Sequence, residues 1–156
     1  MSFGYALLLS CTICALAAAL EGACAGRNVK TFFTSLNFPP YSAPLWVWSI
    51  IGGGYYFIFG FVAYRLLRLG SSPFRNTSLA LVLFMMTVNA LSNYVIFRAQ
   101  NLYGSFIIGS LFPILDVTLL ACLIQLDSFA AWTLVPYLIY RVYAVWWGYK
   151  LWRLNR

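Results

Sequence analysis

The sequence predicts an all-α polytopic membrane protein: a single domain over residues 1–156, folded as a bundle of five transmembrane helices. Three observations carry that reading. Five apolar stretches, each near the length that crosses a bilayer, fill nearly the whole chain. Hydrophobic residues make up 63% of it and charged residues only 8%, so a soluble domain of this size would lack polar outward faces. Most bases stand at the ends of the apolar stretches, where Lys and Arg meet lipid phosphates.

The first span covers Phe3–Ala25. A helix of roughly 20 residues crosses the ~30 Å hydrocarbon layer, so the length suits a crossing. The segment has no basic start, its apolar run continues past Leu20, and Glu21 falls near its far end. It reads as a retained helix rather than a cleaved signal. Residues 26–43 form the longest connection, with Phe32-Phe33 followed by Phe38, Pro39, Pro40, Tyr41 and Pro44. Proline restricts its own φ and disfavours helix before it, so this connection is expected to be extended or turned. So many aromatic groups suit a lid over one end of the bundle, or a position in the headgroup layer.

The second span, 44–67, opens with Trp46 and Trp48 and continues through Gly52, Gly53, Gly54, Tyr55 and Tyr56 to Gly60. Small residues let helix backbones approach closely in lipid, the commoner role; removing volume from a cavity wall is the alternative. The third span, 77–97, carries Asn89, Ser92 and Asn93. Asn89 and Asn93 share one face, which must look inward to find polar partners, either as interhelical glue or as a ligand contact. The fourth span, 104–126, contains Pro113 and Asp116, and the fifth, 131–152, contains Arg141. Each charge lies about ten residues from the short turn at 127–130, so antiparallel helices bring them to similar depth. A lone charge there costs at least ~2.5–3.5 kcal/mol, so an ion pair between Asp116 and Arg141 is expected. Tyr137, Tyr140, Tyr143 and Trp147 form an aromatic row at spacings of three and four, suited to helix packing or to one wall of a pocket.

The net charge of +7 is accounted for at the membrane surface, and no nucleic-acid partner is implied. Five crossings collect Arg27, Lys30, Arg98, Lys150, Arg153 and Arg156 on one side, against Arg65, Arg68 and Arg75 on the other. The positive-inside rule then puts the C-terminus and the first connection in the cytoplasm. Cys11, Cys14, Cys24 and Cys122 lie in or beside apolar helices, and the chain has no His, so no metal site can be argued. A Ser–His–Asp set, a phosphate-binding glycine loop and a close carboxylate pair are also lacking.

The arrangement resembles the translocator protein family, also called tryptophan-rich sensory proteins or peripheral benzodiazepine receptors. Phe32-Phe33, Leu36, Pro39, Tyr41, Pro44 and Trp46 follow the family's order in the first loop and second span. Tyr56 and Gly60 fit its Tyr-x-x-x-Gly, and Asn89 and Phe97 fit its third span. The last helix matches best, with Pro136-Tyr137-Leu138 and then Tyr149, Trp152, Arg153 and Asn155 at the family's spacing. The resemblance implies a five-helix bundle that binds porphyrins and sterols beneath the first loop. It implies no required cofactor, a tetrapyrrole or sterol as bound ligand, and a homodimer in a bacterial cytoplasmic or mitochondrial outer membrane. Carried over to this chain, the pocket is lined by Trp46, Tyr56, Asn89, Tyr137 and Tyr140 beneath Phe33, Pro39 and Pro44. Val145, Tyr149 and Arg153 satisfy the loose cholesterol-contact pattern.

The departures are also specific. Family tryptophans become Gly52, Ser92 and Tyr140, and a family asparagine becomes Gly148. Loss of the indole at Gly52 enlarges the expected pocket, and Trp147 is placed to refill it. The missing indoles weigh against light-dependent porphyrin breakdown. The expected function is therefore a non-enzymatic membrane receptor or carrier for a flat hydrophobic molecule. Two other readings stay open from sequence: an ion-coupled transporter or channel using Asp116 and Arg141, and a porphyrin-modifying enzyme using Tyr140 or Trp147.

Overall fold

A computed structural model describes all residues 1–156. It contains helices and no strands: α1 (Phe3–Ala25), α2 (Val29–Ser35), α3 (Leu45–Arg68), α4 (Pro73–Asn93), α5 (Leu102–Leu126) and α6 (Ser128–Leu154). A π-helical turn, Tyr94–Arg98, prolongs α4. Four segments are long and apolar enough to cross a membrane: α1, α3, α4 with its π-turn, and α5. The expected fifth crossing lies within α6, which falls outside that set. Arg141 and the many Tyr and Trp residues of α6 lower its hydropathy, although its 27 residues are ample in length.

Local chemistry explains the helix ends. Ser72 caps α4 by accepting from the Arg75 N–H at 3.2 Å, with Pro73 at the first helical position, where a missing N–H costs nothing. Asn101 caps α5 by accepting from the Gly104 N–H at 2.8 Å. Asp127 caps α6, accepting from the Phe129 and Ala130 N–H groups at 3.1 and 3.2 Å. The same carboxylate takes two bonds from Arg65, at 2.5 and 3.0 Å, tying the end of α3 to the α5–α6 turn. Burial alone would raise the Asp127 pKa, but Arg65 and the two backbone N–H groups hold it below the ordinary carboxylate range. Gly26 ends α1 with φ +75°, and a Cβ there would also meet Arg98 Nε at 3.3 Å.

The connection at 26–43 departs from its expected extended form, since Val29–Ser35 is helical and contains Phe32 and Phe33. Its prolines begin only at Pro39, too late to forbid a turn of helix upstream. The rest of the connection packs onto the C-terminal half of α6. Trp147 Nε1 donates to Ser42 Oγ at 2.8 Å, and Tyr143 donates its hydroxyl proton to the Tyr41 carbonyl at 3.0 Å. Asn37 and Asn155 exchange two hydrogen bonds, both 2.8 Å. Phe33, Trp147 and Leu151 form a small core beneath this lid.

The five long helices close a ring in the order α1, α3, α6, α5, α4 and back to α1, with α3 also touching α4. Only 26 of 156 residues are buried, while large apolar side chains such as Leu8, Phe57, Ile114, Trp132 and Val142 point outward. That surface is suited to lipid, not water. The main core fills one half of the ring. Phe59, Val62, Leu66, Met85, Met86, Phe112, Leu119, Leu123 and Leu134 interdigitate there, at the end marked by Asp127. Gly60 permits the α1–α3 contact, since a Cβ would stand 2.7 Å from Cys14 Sγ. The other half, beneath the lid, is hollow.

Candidate ligand cavity

The hollow half is a cavity of about 540 Å³, within the range of small-molecule sites. Fourteen of its 24 lining residues are hydrophobic, so its walls are mainly apolar with a few polar groups. Of the residues expected at a ligand site, Phe33, Gly52, Tyr56, Asn89, Tyr137, Tyr140 and Trp147 all line it. Pro39, Pro44 and Trp46 do not. Pro39 is buried within the lid, Pro44 is the residue preceding α3, and Trp46 is 65% exposed on the outer surface. Trp46 fails by helix phase: Trp48, Gly52, Tyr55 and Tyr56 share the inner face of α3, and position 46 lies on the other side.

Gly52 and Gly53 line the cavity, and no atom lies within 4 Å of a Cβ built on either. They therefore leave volume empty rather than draw two helices together, contrary to the commoner role expected of them. Gly60 alone of this run serves close packing. The π-turn brings Ile96 and Phe97 to the cavity wall, in keeping with the use of such turns near functional sites.

Four indole and phenol rings of α6 and α3 interlock on one side. Trp48 lies 4.5 Å from Trp147, 6.2 Å from Tyr140, and stacks on Tyr143 at 6.2 Å. The Trp48 indole N–H donates to the Ala43 carbonyl at 2.9 Å, which fixes the ring beneath the lid. Tyr143 thus supports the wall from behind, while Tyr137, Tyr140 and Trp147 face the hollow.

The polar groups gather in two places. At the α1 side, Glu21 Oε2 accepts from the Tyr56 hydroxyl and from Asn89 Nδ2, the latter at 2.8 Å. Asn93, one turn on, donates to the Asn89 carbonyl at 3.0 Å. At the α6 side, Arg141 Nε donates to Asp116 Oδ2 at 3.2 Å, and a second guanidinium N–H donates to the Tyr137 hydroxyl. The guanidinium also lies 4.2 Å from the centre of the Phe112 ring and 4.6 Å from that of Tyr137. Asp116 is fully enclosed, and its Oδ1 has no hydrogen-bond partner; neither does the Tyr55 hydroxyl.

Among the lining residues not singled out from sequence as ligand contacts are Glu21 and Trp48. Glu21 carried a signal, because an ionisable residue inside an apolar span is a functional candidate by default. Trp48 carried a weaker one, standing one helical turn before Gly52. Val145, Tyr149 and Arg153 lie on α6 outside the cavity, with Tyr149 against Phe106 at 5.6 Å and the Arg153 guanidinium 6.0 Å from the Tyr149 ring.

Apolar helices around a lidded aromatic hollow define an integral multi-pass membrane protein with an internal cavity. The sequence profile of the TspO/MBR family matches residues 10–153, nearly the whole chain. The chain belongs to that family. No curated protein matches it.

Proposed function

We propose that this protein is a non-enzymatic membrane receptor or carrier that crosses the bilayer five times. It holds a flat hydrophobic molecule of tetrapyrrole or sterol shape inside the bundle, beneath the lid at residues 26–43. One observation carries the reading: half of the helix ring is packed solid, and the other half is an aromatic-walled space of about 540 Å³. A membrane helix bundle gains dispersion contacts by filling its interior, so an unfilled half lined by flat rings fits a flat guest. Counting α6 as the fifth crossing is supported by its 27 residues and its place in the ring between α3 and α5. The Asn37–Asn155 contact supports one common side for the lid and the C-terminus, and the surrounding bases support the cytoplasmic one.

The test is fluorescence titration of the purified protein in lipid nanodiscs with protoporphyrin and with cholesterol. Trp48 and Trp147 report occupancy of the cavity. Saturable quenching that weakens at least several-fold in Tyr140→Ala is the expected result. Quenching that never saturates, or that ignores Tyr140→Ala, refutes the reading.

A second reading, ion-coupled transport through Asp116 and Arg141, draws on the unpartnered Asp116 Oδ1 and on the reach of Arg141 into the cavity. It requires flux in proteoliposomes that disappears in Asp116→Asn.

A further inference from the structure

The charges around the cavity do not balance. Arg141 is matched by Asp116 at 3.2 Å and is further engaged by Tyr137. Glu21 has no such partner: no Lys or Arg forms an ion pair with it. Both donors that reach Glu21, the Tyr56 hydroxyl and Asn89, bond to Oε2. Its Oε1 takes no hydrogen bond and is not enclosed by protein. A carboxylate oxygen left open in a membrane cavity is costly unless something positive reaches it.

The aromatic lining of the same cavity points the same way. It includes the rings of Trp48, Tyr56, Tyr140 and Trp147, and the electron-rich faces of such rings attract cations.

We propose that the cavity selects flat apolar molecules that carry a protonated amine, with Glu21 Oε1 as the anionic anchor. This rests on reading the cavity as the ligand site and adds the charge of its guest. Shape admits porphyrin and sterol skeletons alike; charge then favours amine-bearing molecules over neutral ones, and disfavours those that present carboxylates to Glu21.

One ring framework in three charge states tests it: 9-(aminomethyl)anthracene, cationic at neutral pH, anthracene, neutral, and anthracene-9-carboxylate, anionic. Each is titrated into the full-length protein in phosphatidylcholine nanodiscs, with empty nanodiscs subtracted. The expected order of affinity is cation, then neutral, then anion. The cation's advantage over anthracene is about tenfold or more, as for a charge-assisted hydrogen bond. In Glu21→Gln, whose amide keeps the length and can keep the bonds to Tyr56 and Asn89, that advantage, read as the ratio of the two affinities, falls to near unity. Saturable anthracene binding by the variant shows that its cavity is still formed.

Equal affinity for all three probes, or an amine preference that survives Glu21→Gln, overturns the Glu21 assignment while leaving the cavity as the ligand site. Absence of saturable, protein-dependent binding by any of the three refutes the ligand-site reading, and the selectivity with it.

Discussion

Asp116 sits enclosed on α5 with Arg141 as its counter-charge, and Arg141 in turn is packed between the rings of Phe112 and Tyr137. Removing one partner leaves the other charged and buried, which costs about 3–5 kcal/mol. Asp116→Asn and Arg141→Gln are each expected to lower thermal stability in nanodiscs by an effect of that order. The double variant is expected to lose clearly less than the sum, with a coupling of about 1–3 kcal/mol. Additive losses would mean that the two groups act separately. This pairing could be read by counting residues from a short turn, because helical rise converts sequence distance into depth. The partners of Glu21 could not be read that way. Tyr56 and Asn89 lie 35 and 68 residues away, on helices whose rotation about their axes depends on the whole ring.

The lid is the element whose behaviour follows most directly from its contacts. Asn37 and Asn155 exchange two hydrogen bonds across 118 residues of sequence, and these hold the lid to the last turn of α6. At about 1 kcal/mol net for each bond, Asn155→Ala is expected to loosen the lid by about 2 kcal/mol. Hydrogen exchange should then quicken across residues 29–43 and stay unchanged in the core half of the ring; protection that does not fall would mean the clamp contributes nothing. At the opposite end, Asp127 joins α3 to the α5–α6 turn. Its pKa is lower in the fold than in the unfolded chain, so its contribution is present above the ordinary carboxylate value and lost as pH falls through the lowered one. Thermal stability measured from about pH 6 down to about pH 2 should fall, and the difference between wild type and Asp127→Asn should shrink below about pH 4. A constant difference across that range would contradict the assignment. The long helices were legible because apolar runs and caps are local signals. The helix Val29–Ser35 and the π-turn Tyr94–Arg98 were not, because packing against neighbours, not propensity, holds such short pieces.

Across the whole molecule, one half of the ring is filled by Phe, Met and Leu side chains and the other is left open beneath the lid. Five crossings predict opposite sides for the two termini: an N-terminal epitope tag accessible from outside and a C-terminal one only after permeabilisation. Both tags on one side would remove a crossing, and α6 is the one the hydropathy leaves in question. The membrane class and the aromatic character of the cavity wall were readable from composition and spacing. Which aromatic residues face inward was not: Trp46 and Trp48 are two residues apart, equally suited by type, and only the rotation of α3 against α1 and α6 separates them. The order of the ring also bears on how the molecule is made. α6, made after the other four long helices, closes the gap between α3 and α5 and supplies Tyr137, Tyr140, Arg141, Trp147 and the residue before the Asn155 clamp. A nascent chain whose α6 is still inside the ribosome therefore holds Asp116 without its counter-ion and a cavity missing a wall. Closure of the hollow and relief of that stranded charge both wait for α6 to emerge.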